Sequence, residues 1–248
     1  MQLSRRALIA ATLAAPLMPT AFAHAATAQT LRLGGQDIAV EIVPGTGEAE
    51  TKPLIVYCGG AGFTRARYGR WVGEALAAYG DVLLWDYPGQ GESTGFPDPF
   101  TAEAVVRGLA RWVGAQAGDR PIVVWGHSLG GFVGAQLVRH FKADALVLET
   151  TAPDPQGALE ATGVTVPREY KRLLPLLARY NIPASLKGFR GEVLVLGAKN
   201  DSVLPVALSR ELAESVAGAT YVELDTTHYG ALSRAKTKAA VAALLARL

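Results

Sequence analysis

The 248-residue chain has a single cysteine, Cys58, and therefore can form no internal disulfide. It also lacks a marked excess of either charge, since 24 basic and 22 acidic residues give a formal net charge of +2. The two excess positive charges lie within residues 1–25, which contain two arginines and no acidic residue. This balance gives no reason to expect nucleic acid or an anionic membrane as a partner.

Sequence patterns for cofactor and metal binding are also missing. There is no Gly-Lys-Ser or Gly-Lys-Thr phosphate loop, and no two of the four histidines have the spacing of zinc ligands. Gly89 and Gly91 begin the glycine pattern of a dinucleotide-binding loop, but Thr94 occupies the position of the third glycine. We therefore expect a protein that uses neither a cofactor nor a metal ion.

The N-terminal segment has the parts of an export signal. Arg5 and Arg6 precede the mostly apolar stretch Ala7–Met18, and small residues follow it up to residue 25. This stretch is too short to span about 30 Å of hydrocarbon as a helix. The paired arginines after a serine resemble a twin-arginine signal, with an ordinary secretion signal and an uncleaved anchor as alternatives. We expect residues 1–25 to direct export, most simply to a bacterial periplasm, with no stable membrane insertion once the signal is removed.

Short, nearly continuous apolar runs recur through the remaining residues, 26–248. Runs rich in Val, Ile and Leu are typical of strands buried on both faces of a parallel sheet. Amphipathic stretches alternate with them, at Thr101–Gln116 and between Pro205 and Gly218. This alternation predicts one α/β domain with a doubly wound, mostly parallel sheet. The predicted strands are Leu54–Cys58, Val82–Trp85, Ile122–Trp125, Ala145–Leu148, Val193–Leu196 and Tyr221–Leu224.

One stretch, about residues 151–187, interrupts the alternation. It contains five prolines and no clear strand. We interpret it as a small cap inserted after the strand at 145–148, with a helix around Arg168–Tyr180. A cap of about 35 residues predicts an open pocket that accepts small or extended substrates.

The segment Gly126-His127-Ser128-Leu129-Gly130 fits the pattern Gly-x-Ser-x-Gly. It follows a predicted strand and precedes a helix-like stretch, Leu129 to His140. In such a strand–turn–helix junction the serine hydroxyl stands clear of the backbone at a helix N-terminus. The free N–H groups there favour developing negative charge. We therefore predict that Ser128 is a nucleophile.

The base that activates this serine is found by elimination among four histidines. His24 lies in the export segment, and His127 is held beside the serine on the same turn. His140 is 12 residues further along the predicted helix, about 18 Å away at about 1.5 Å per residue. His228, directly after the last predicted strand, remains as the candidate general base.

The third member should be an acid that lies between serine and histidine in chain order. Asp201 follows the predicted strand Val193–Leu196, at the end of the sheet where catalytic groups gather. It would orient the imidazole of His228 and stabilise its protonated form. Asp225 and Glu149 are the rival acids. Alternatively, Asp201 only caps the following helix.

Two backbone donors are needed to stabilise an oxyanion. The N–H of Leu129, directly after the nucleophile, is the first candidate. The second is expected in the glycine-rich loop Cys58–Gly62, where we favour Gly60 and place Ala61 next. A tight turn without catalytic role is the alternative interpretation of this loop.

These motifs, taken in order, resemble the α/β-hydrolase superfamily over about residues 30 to 248. The shared features are the Cys58–Gly62 loop, the segment Asp86–Ser93, the Gly126–Gly130 turn, Asp201 and His228. The likeness is greatest to small-capped esterases, lysophospholipases and serine aminopeptidases. Many members of this superfamily have His-Gly where this chain has Cys58-Gly59, and that histidine is generally structural.

The resemblance implies a triad of Ser128, His228 and Asp201, with Gly60 as an oxyanion donor. We expect hydrolysis of a small-molecule ester or acyl substrate through an acyl-enzyme. Peptidase, amidase, thioesterase or haloperoxidase-like activity and a non-catalytic binding role are the alternatives. Cys58 is interpreted as a small buried hydrophobe. Arg65 and Arg67 are interpreted as the solvated face of a helix, with contact to an anionic substrate as the alternative.

Overall fold

The computed structural model describes residues 27–46, 52–96, 99–165, 168, 171 and 174–248. The predicted export segment, residues 1–25, lies outside these ranges. Eight strands are present in them: β1 Thr27–Leu33, β2 Gln36–Val43, β3 Leu54–Cys58, β4 Asp81–Trp85, β5 Ile122–His127, β6 Ala145–Glu149, β7 Glu192–Ala198 and β8 Thr220–Leu224.

The strands form one sheet in the order β1-β2-β4-β3-β5-β6-β7-β8. β1 and β2 pair antiparallel at one edge, β2 also pairs antiparallel with β4, and every other pairing is parallel. The sheet is therefore mostly parallel, as the alternation of strands and helices predicts. All six predicted strands are confirmed to within two residues at each end.

Helices cover both faces of the sheet. Two apolar clusters use alternate residues of the same strands, such as Val124 on one face and Val123 on the other. Helices α2, α3 and α7 contribute to the first cluster, and α1 and α8 contribute to the second. The helices of the described ranges are α1 Arg70–Leu76, α2 Pro99–Ala117, α3 Leu129–Leu137, α4 Pro155–Thr162, α5 Leu174–Leu177, α6 Ile182–Ser185, α7 Val206–Ser215 and α8 Ala235–Leu245. None of these is both long enough and apolar enough to cross a membrane.

The antiparallel hairpin of β1 and β2 is an element that the apolar runs do not predict. β1 is largely exposed, so it carries no continuous apolar run. Its turn consists of Gly34 and Gly35, both with positive φ, at +55° and +80°. Positive φ at both central residues is the requirement of a tight two-residue hairpin turn, and a Gly-Gly pair is one of its sequence signals. That pair is the feature from which the hairpin could have been predicted.

The described residues between β6 and β7 include three short α-helices, α4, α5 and α6, and the stretch in which one helix was expected, Arg168–Tyr180, combines 3₁₀ and α-helical residues. Among the described residues of that stretch, Arg168 and Lys171 have 3₁₀ conformation, Leu174–Leu177 is α-helical, and Ala178–Tyr180 is a following 3₁₀ turn. Asp154 and Asn181 cap α4 and α6 by accepting hydrogen bonds from backbone N–H groups three residues later. Two of the five prolines, Pro155 and Pro183, lie in the first turns of these helices, where proline is favoured.

Helix α7 differs slightly from its predicted bounds. Pro205 is the residue before the helix, with ψ of 135°, and so does not lie in its first turn. The helix ends at Ser215 because Val216 is extended. Gly218, with φ of +77°, turns the chain towards β8 instead of ending the helix directly.

Helix α3 begins in very close contact with the ends of β3 and β5. A Cβ on Gly130 would lie 1.9 Å from the carbonyl oxygen of Cys58, and one on Gly126 would lie 2.5 Å from the carbonyl oxygen of Gly130. The glycines of the Gly-x-Ser-x-Gly segment are therefore required by close backbone approach. This approach sets the position of Ser128 relative to the Cys58–Gly62 loop.

We predict that Gly130→Ala lowers the free energy of unfolding by about 3 kcal/mol, because the added methyl group meets backbone atoms that cannot move aside. Urea denaturation followed by circular dichroism measures this loss. Gly114→Ala is the matched control, since a Cβ there, in the exposed face of α2, has no neighbour within 4 Å. The control should be stabilised by about 0.5 to 1 kcal/mol. Equal unfolding curves for the two variants would contradict the close approach at Gly130.

Candidate active site

Ser128 occupies a strained turn between β5 and α3. Its φ of 54° and ψ of −120° lie in a region that residues with a side chain rarely adopt. The turn is held from both sides, since the N–H of Ser128 donates to the carbonyl of Glu149 at 2.9 Å. The Ser128 carbonyl accepts from the hydroxyl of Thr151 and the N–H of Gly131, at 2.8 and 2.9 Å. This geometry places a half-buried serine hydroxyl at the N-terminus of a helix.

His228 and Asp201 form a buried hydrogen-bonded pair. The distance between His228 Nδ1 and Asp201 Oδ2 is 2.7 Å, and the two side chains are 3% and 1% exposed. Because a carboxylate only accepts, Nδ1 carries the proton and Nε2 of the neutral ring is left as an acceptor. Asp201 lies in the loop after β7 and His228 in the loop after β8.

The alternative interpretation, that Asp201 caps the following helix, is wrong, because the residue before α7 is Pro205 and Asp201 instead binds N–H groups of the loop that leads to it. Asp201 Oδ1 accepts from the N–H groups of Val203 and Leu204, each at 2.8 Å. Its two oxygens are thus divided between the loop that holds it and the imidazole of His228. Hydrogen bonds to both oxygens hold the carboxylate in one orientation.

The rival acids have other partners. Asp225 is exposed and accepts from the side-chain amide of Asn200 at 2.8 Å. Glu149 is buried and accepts from the indole N–H of Trp125 at 2.7 Å. Of the acids considered, Asp201 is the one that the structure brings to His228.

His127 links the loop of Ser128 to that of His228. Its Nε2 lies 3.1 Å from the carbonyl oxygen of His228, and the centroids of the two imidazole rings are 5.0 Å apart. Thr150 Oγ1 also donates to this carbonyl, at 3.3 Å. Burial, together with the nearby His228, lowers the pKa of His127 to about 4, so its ring is neutral near pH 7. None of the hydrogen bonds between described residues joins the Ser128 hydroxyl directly to His228.

The glycine-rich loop after β3 lies directly against the nucleophile. A Cβ on Gly60 would be 2.7 Å from His127 Nδ1 and 3.4 Å from the Cβ of Ser128. The N–H groups of Gly60 and Ala61 make no hydrogen bond to any described residue. Leu129 is the first residue of α3, so its N–H has no acceptor within the helix. The predicted oxyanion donors therefore flank Ser128 on two sides.

The expectation that Arg65 belongs to a solvated helix face is wrong. Arg65 is 8% exposed and its guanidinium contacts three carboxylates, those of Asp86, Glu41 and Glu92. The expectation was wrong because these acids lie 21 to 27 positions away along the chain. Arg67 is exposed, as expected, with its guanidinium over the ring of Tyr68.

Cys58 is fully buried, which confirms its interpretation as a small hydrophobe. Burial raises the pKa of its thiol to about 12, so it is no nucleophile at neutral pH. Among the described residues, no three His, Cys, Asp or Glu side chains are grouped so that they could hold a metal ion.

Tyr229 is a site residue that the sequence patterns miss. It directly follows His228, is 54% exposed, and packs edge-on against the imidazole with ring centroids 4.9 Å apart. Its adjacency to the candidate base was the available signal.

Comparisons with known proteins identify the family of the fold. A family model described as alpha/beta hydrolase fold matches residues 52–181. The lysophosphatidylserine lipase ABHD12 of Rattus norvegicus is 29% identical over 180 residues, which cover 66% of this chain and 45% of that protein. The same lipase of Danio rerio is 30% identical over 185 residues, covering 66% and 47%. The chain thus spans about half the length of the curated relatives it matches.

Known structures show the same fold at low sequence identity. Est1E from Butyrivibrio proteoclasticus, with ferulic acid bound, aligns with a TM-score of 0.73 at 16% identity, over 88% of this chain and 99% of that one. The Pyrococcus furiosus esterase Pf2001 aligns with a TM-score of 0.67 at 14% identity, over 89% and 92%.

The buried Glu149 leads to a prediction about stability and pH. Burial raises the pKa of its carboxyl to about 7, although the hydrogen bond from Trp125 acts in the opposite direction. A carboxyl with a higher pKa in the folded chain binds its proton more tightly there. Its contribution to stability is complete below the unfolded-state pKa of about 4.5 and is lost as the pH rises through 7.

Relative to Glu149→Gln, which cannot ionise, the parent protein should lose about 2 to 3 kcal/mol of unfolding free energy between pH 5 and pH 8. Urea denaturation at both pH values measures the difference. Glu211→Gln, at an exposed position of α7, is the control and should track the parent at both pH values. A constant offset between parent and Glu149→Gln would contradict the raised pKa.

Proposed function

We propose that this chain, which belongs to the α/β-hydrolase fold family, is a serine hydrolase. It would cleave carboxylic esters with Ser128, His228 and Asp201. The observation that carries the proposal is the buried 2.7 Å contact between His228 Nδ1 and Asp201 Oδ2. This contact leaves Nε2 of His228 as a proton acceptor in the neighbourhood of a serine on a strained turn. The absence of a direct bond from Ser128 to His228 does not weaken the assignment, because such bonds are often long until substrate binds.

In the proposed reaction, Ser128 Oγ attacks the ester carbonyl while Nε2 of His228 takes the hydroxyl proton. Asp201 holds the imidazole and stabilises the imidazolium that forms. The carbonyl oxygen becomes an oxyanion between the N–H groups of Leu129 and Gly60. The imidazolium then protonates the leaving alcohol, and an acyl-enzyme remains. Water, deprotonated by His228, releases the acid and restores the serine.

The neighbours of the site support a substrate that stays partly in solvent. Leu129 and Tyr229, which directly follow the nucleophile and the base, are 40% and 54% exposed. Both side chains offer apolar surface beside the scissile bond, which suits an acyl or aryl group. The names of the relatives, a lysophosphatidylserine lipase and an esterase, also support an ester substrate.

A fluorophosphonate probe, which reacts with activated serines, should label the purified protein at Ser128. Ser128→Ala should abolish labelling and lower kcat for a p-nitrophenyl ester by at least about 10⁴-fold, since no other group can form the acyl-enzyme. His228→Ala should cause a loss of similar size. Asp201→Asn should lower kcat by about 10³- to 10⁴-fold, because the asparagine amide favours the wrong imidazole tautomer.

Asp225→Asn is the matched control for Asp201→Asn, since it removes a nearby carboxylate that bonds to Asn200 only. It should keep most of the parent activity. A folded parent protein that neither labels nor cleaves esters would overturn the proposal and favour a binding role. Cleavage of aminoacyl amides faster than of the matching esters would replace the esterase assignment by a peptidase one.

We further propose that residues 1–25 direct export by the twin-arginine route. Replacing Arg5 and Arg6 by lysine should then leave the protein in the cytoplasm of a bacterial host, because that route recognises the arginine pair. Cell fractionation and immunoblotting measure the distribution. The same replacement at Arg32 in β1 should not affect export. Undiminished export of the double variant would indicate an ordinary secretion signal.

A further inference from the structure

We propose that Tyr87 is a positioning residue of the oxyanion site, whose hydroxyl holds the carbonyl of Gly59 and thereby aims the N–H of Gly60 at the substrate. The inference rests on the proposed function, which assigns Gly60 as an oxyanion donor. Tyr87 itself touches no reacting atom in this scheme. It acts through the peptide group that joins Gly59 to Gly60.

The geometry of one peptide group carries the proposal. Tyr87 Oη donates to the carbonyl oxygen of Gly59 at 2.8 Å, in a buried setting. The described residues contain no cis peptide bond, so this peptide is trans. In a planar trans peptide the C=O of Gly59 and the N–H of Gly60 point in opposite directions. A hydroxyl that fixes the carbonyl on one side therefore also fixes the direction of the N–H on the other side.

Two consecutive glycines need such a constraint. A Cβ on Gly59 would lie 2.2 Å from the ring of Phe63, and one on Gly60 would lie 2.7 Å from His127 Nδ1. Crowding thus requires glycine at both positions, and glycine leaves a peptide plane free to rotate. The following plane is already fixed, because the Gly60 carbonyl accepts from the N–H of Phe63 at 3.1 Å. Tyr87 supplies the corresponding constraint on the plane before Gly60.

Tyr87 is itself held firmly enough to serve this purpose. Its ring packs edge-on against Trp85, with centroids 4.7 Å apart. The preceding residue, Asp86, is fully buried, and its carboxylate accepts from the N–H groups of Arg65 and Glu92 at 2.7 and 3.0 Å. The Arg65 guanidinium contacts the same carboxylate. These contacts join the loop after β4 to the residues that follow the Cys58–Gly62 loop.

The chemistry of the phenol suits a permanent donor. Burial raises the pKa of Tyr87 well above its usual range, with Cys58 and Tyr57 adding to the effect. The hydroxyl therefore keeps its proton near neutral pH. Donation to the Gly59 carbonyl also polarises the amide, which makes the Gly60 N–H a better hydrogen-bond donor.

The test is Tyr87→Phe in the full-length protein, assayed with a p-nitrophenyl ester and with the matching thionoester. The variant should have a kcat for the oxygen ester that is about 10- to 100-fold lower, with KM changed less than about threefold. The reason is that the Gly60 N–H stabilises the transition state more than it stabilises the bound substrate. Because sulfur is a weak hydrogen-bond acceptor, the oxyanion donors stabilise the transition state of the thionoester only slightly. The ratio of oxygen-ester to thionoester rates should therefore fall by a similar factor in the variant.

Tyr57→Phe is the matched control. Tyr57 is a buried tyrosine that contacts Phe63, directly after the Cys58–Gly62 loop, and its hydroxyl makes no hydrogen bond to Gly59. It should leave both kcat and the rate ratio within about twofold of the parent. The rate ratio does not depend on the amount of folded enzyme, so it remains informative if Tyr87→Phe folds only in part.

Suppose that the parent hydrolyses the ester and Ser128→Ala does not. An unchanged rate ratio in Tyr87→Phe would then overturn the role of Tyr87 and leave the proposed function standing. A fall in kcat without a fall in the ratio would also overturn it, because it would indicate general loosening of the site. A parent protein that cleaves neither ester would instead mean that the proposed function has failed.

Discussion

The close packing of the first turn of α3 against the ends of the central strands is the constraint on which the rest of the site depends. Gly130 and Gly131 bring that turn against the carbonyls of Cys58 and Gly59 and against Thr151. The backbone of Ser128 is left in a strained conformation that costs on the order of 1 to 3 kcal/mol. Hydrogen bonds from Thr151 and to Glu149 offset this cost. Because the bonds that hold it are made by backbone groups and by the buried Thr151, the Ser128 backbone is fixed, and the Cys58–Gly62 loop is placed by the same close packing.

The electrostatics of the site keep the number of charges near Ser128 small. Asp201 is the carboxylate that faces His228, and the adjacent His127 is uncharged near pH 7 because burial lowers its pKa to about 4. A charged His127 would oppose protonation of His228, since the two rings are 5.0 Å apart. Because His127 is neutral, it places no second positive charge beside the imidazolium that the proposed reaction forms. The cluster around Arg65 sets one guanidinium against three carboxylates, those of Asp86, Glu41 and Glu92.

The parts of this arrangement that sequence predicts are those encoded in local patterns. The six core strands are continuous apolar runs, and Ser128, His228 and Asp201 each follow such a run directly, so position along the chain is enough to nominate them. The contacts of Arg65, and of Tyr87 with Gly59, join residues 21 to 28 positions apart in separate loops. Nothing in either local segment specifies that pairing. The β1–β2 hairpin had a local signal in Gly34-Gly35, but β1 is too exposed to contribute an apolar run.

The substitution of cysteine for the histidine that the family resemblance leads one to expect at position 58 has a structural consequence. Cys58 points into the same apolar cluster as Trp85 and Tyr87, and its protonated thiol is at most a weak hydrogen-bond donor. It therefore cannot hold the glycine loop through strong side-chain bonds. The side-chain bonds that do hold the loop come from the residues directly after the neighbouring strand β4, through the Tyr87 hydroxyl and through Asp86, which binds the N–H of Arg65 just beyond the loop. Support that a residue within the loop could have supplied is thus provided by the segment that follows β4. The geometry at Gly60 therefore depends on how the chain is held at the ends of two adjacent strands.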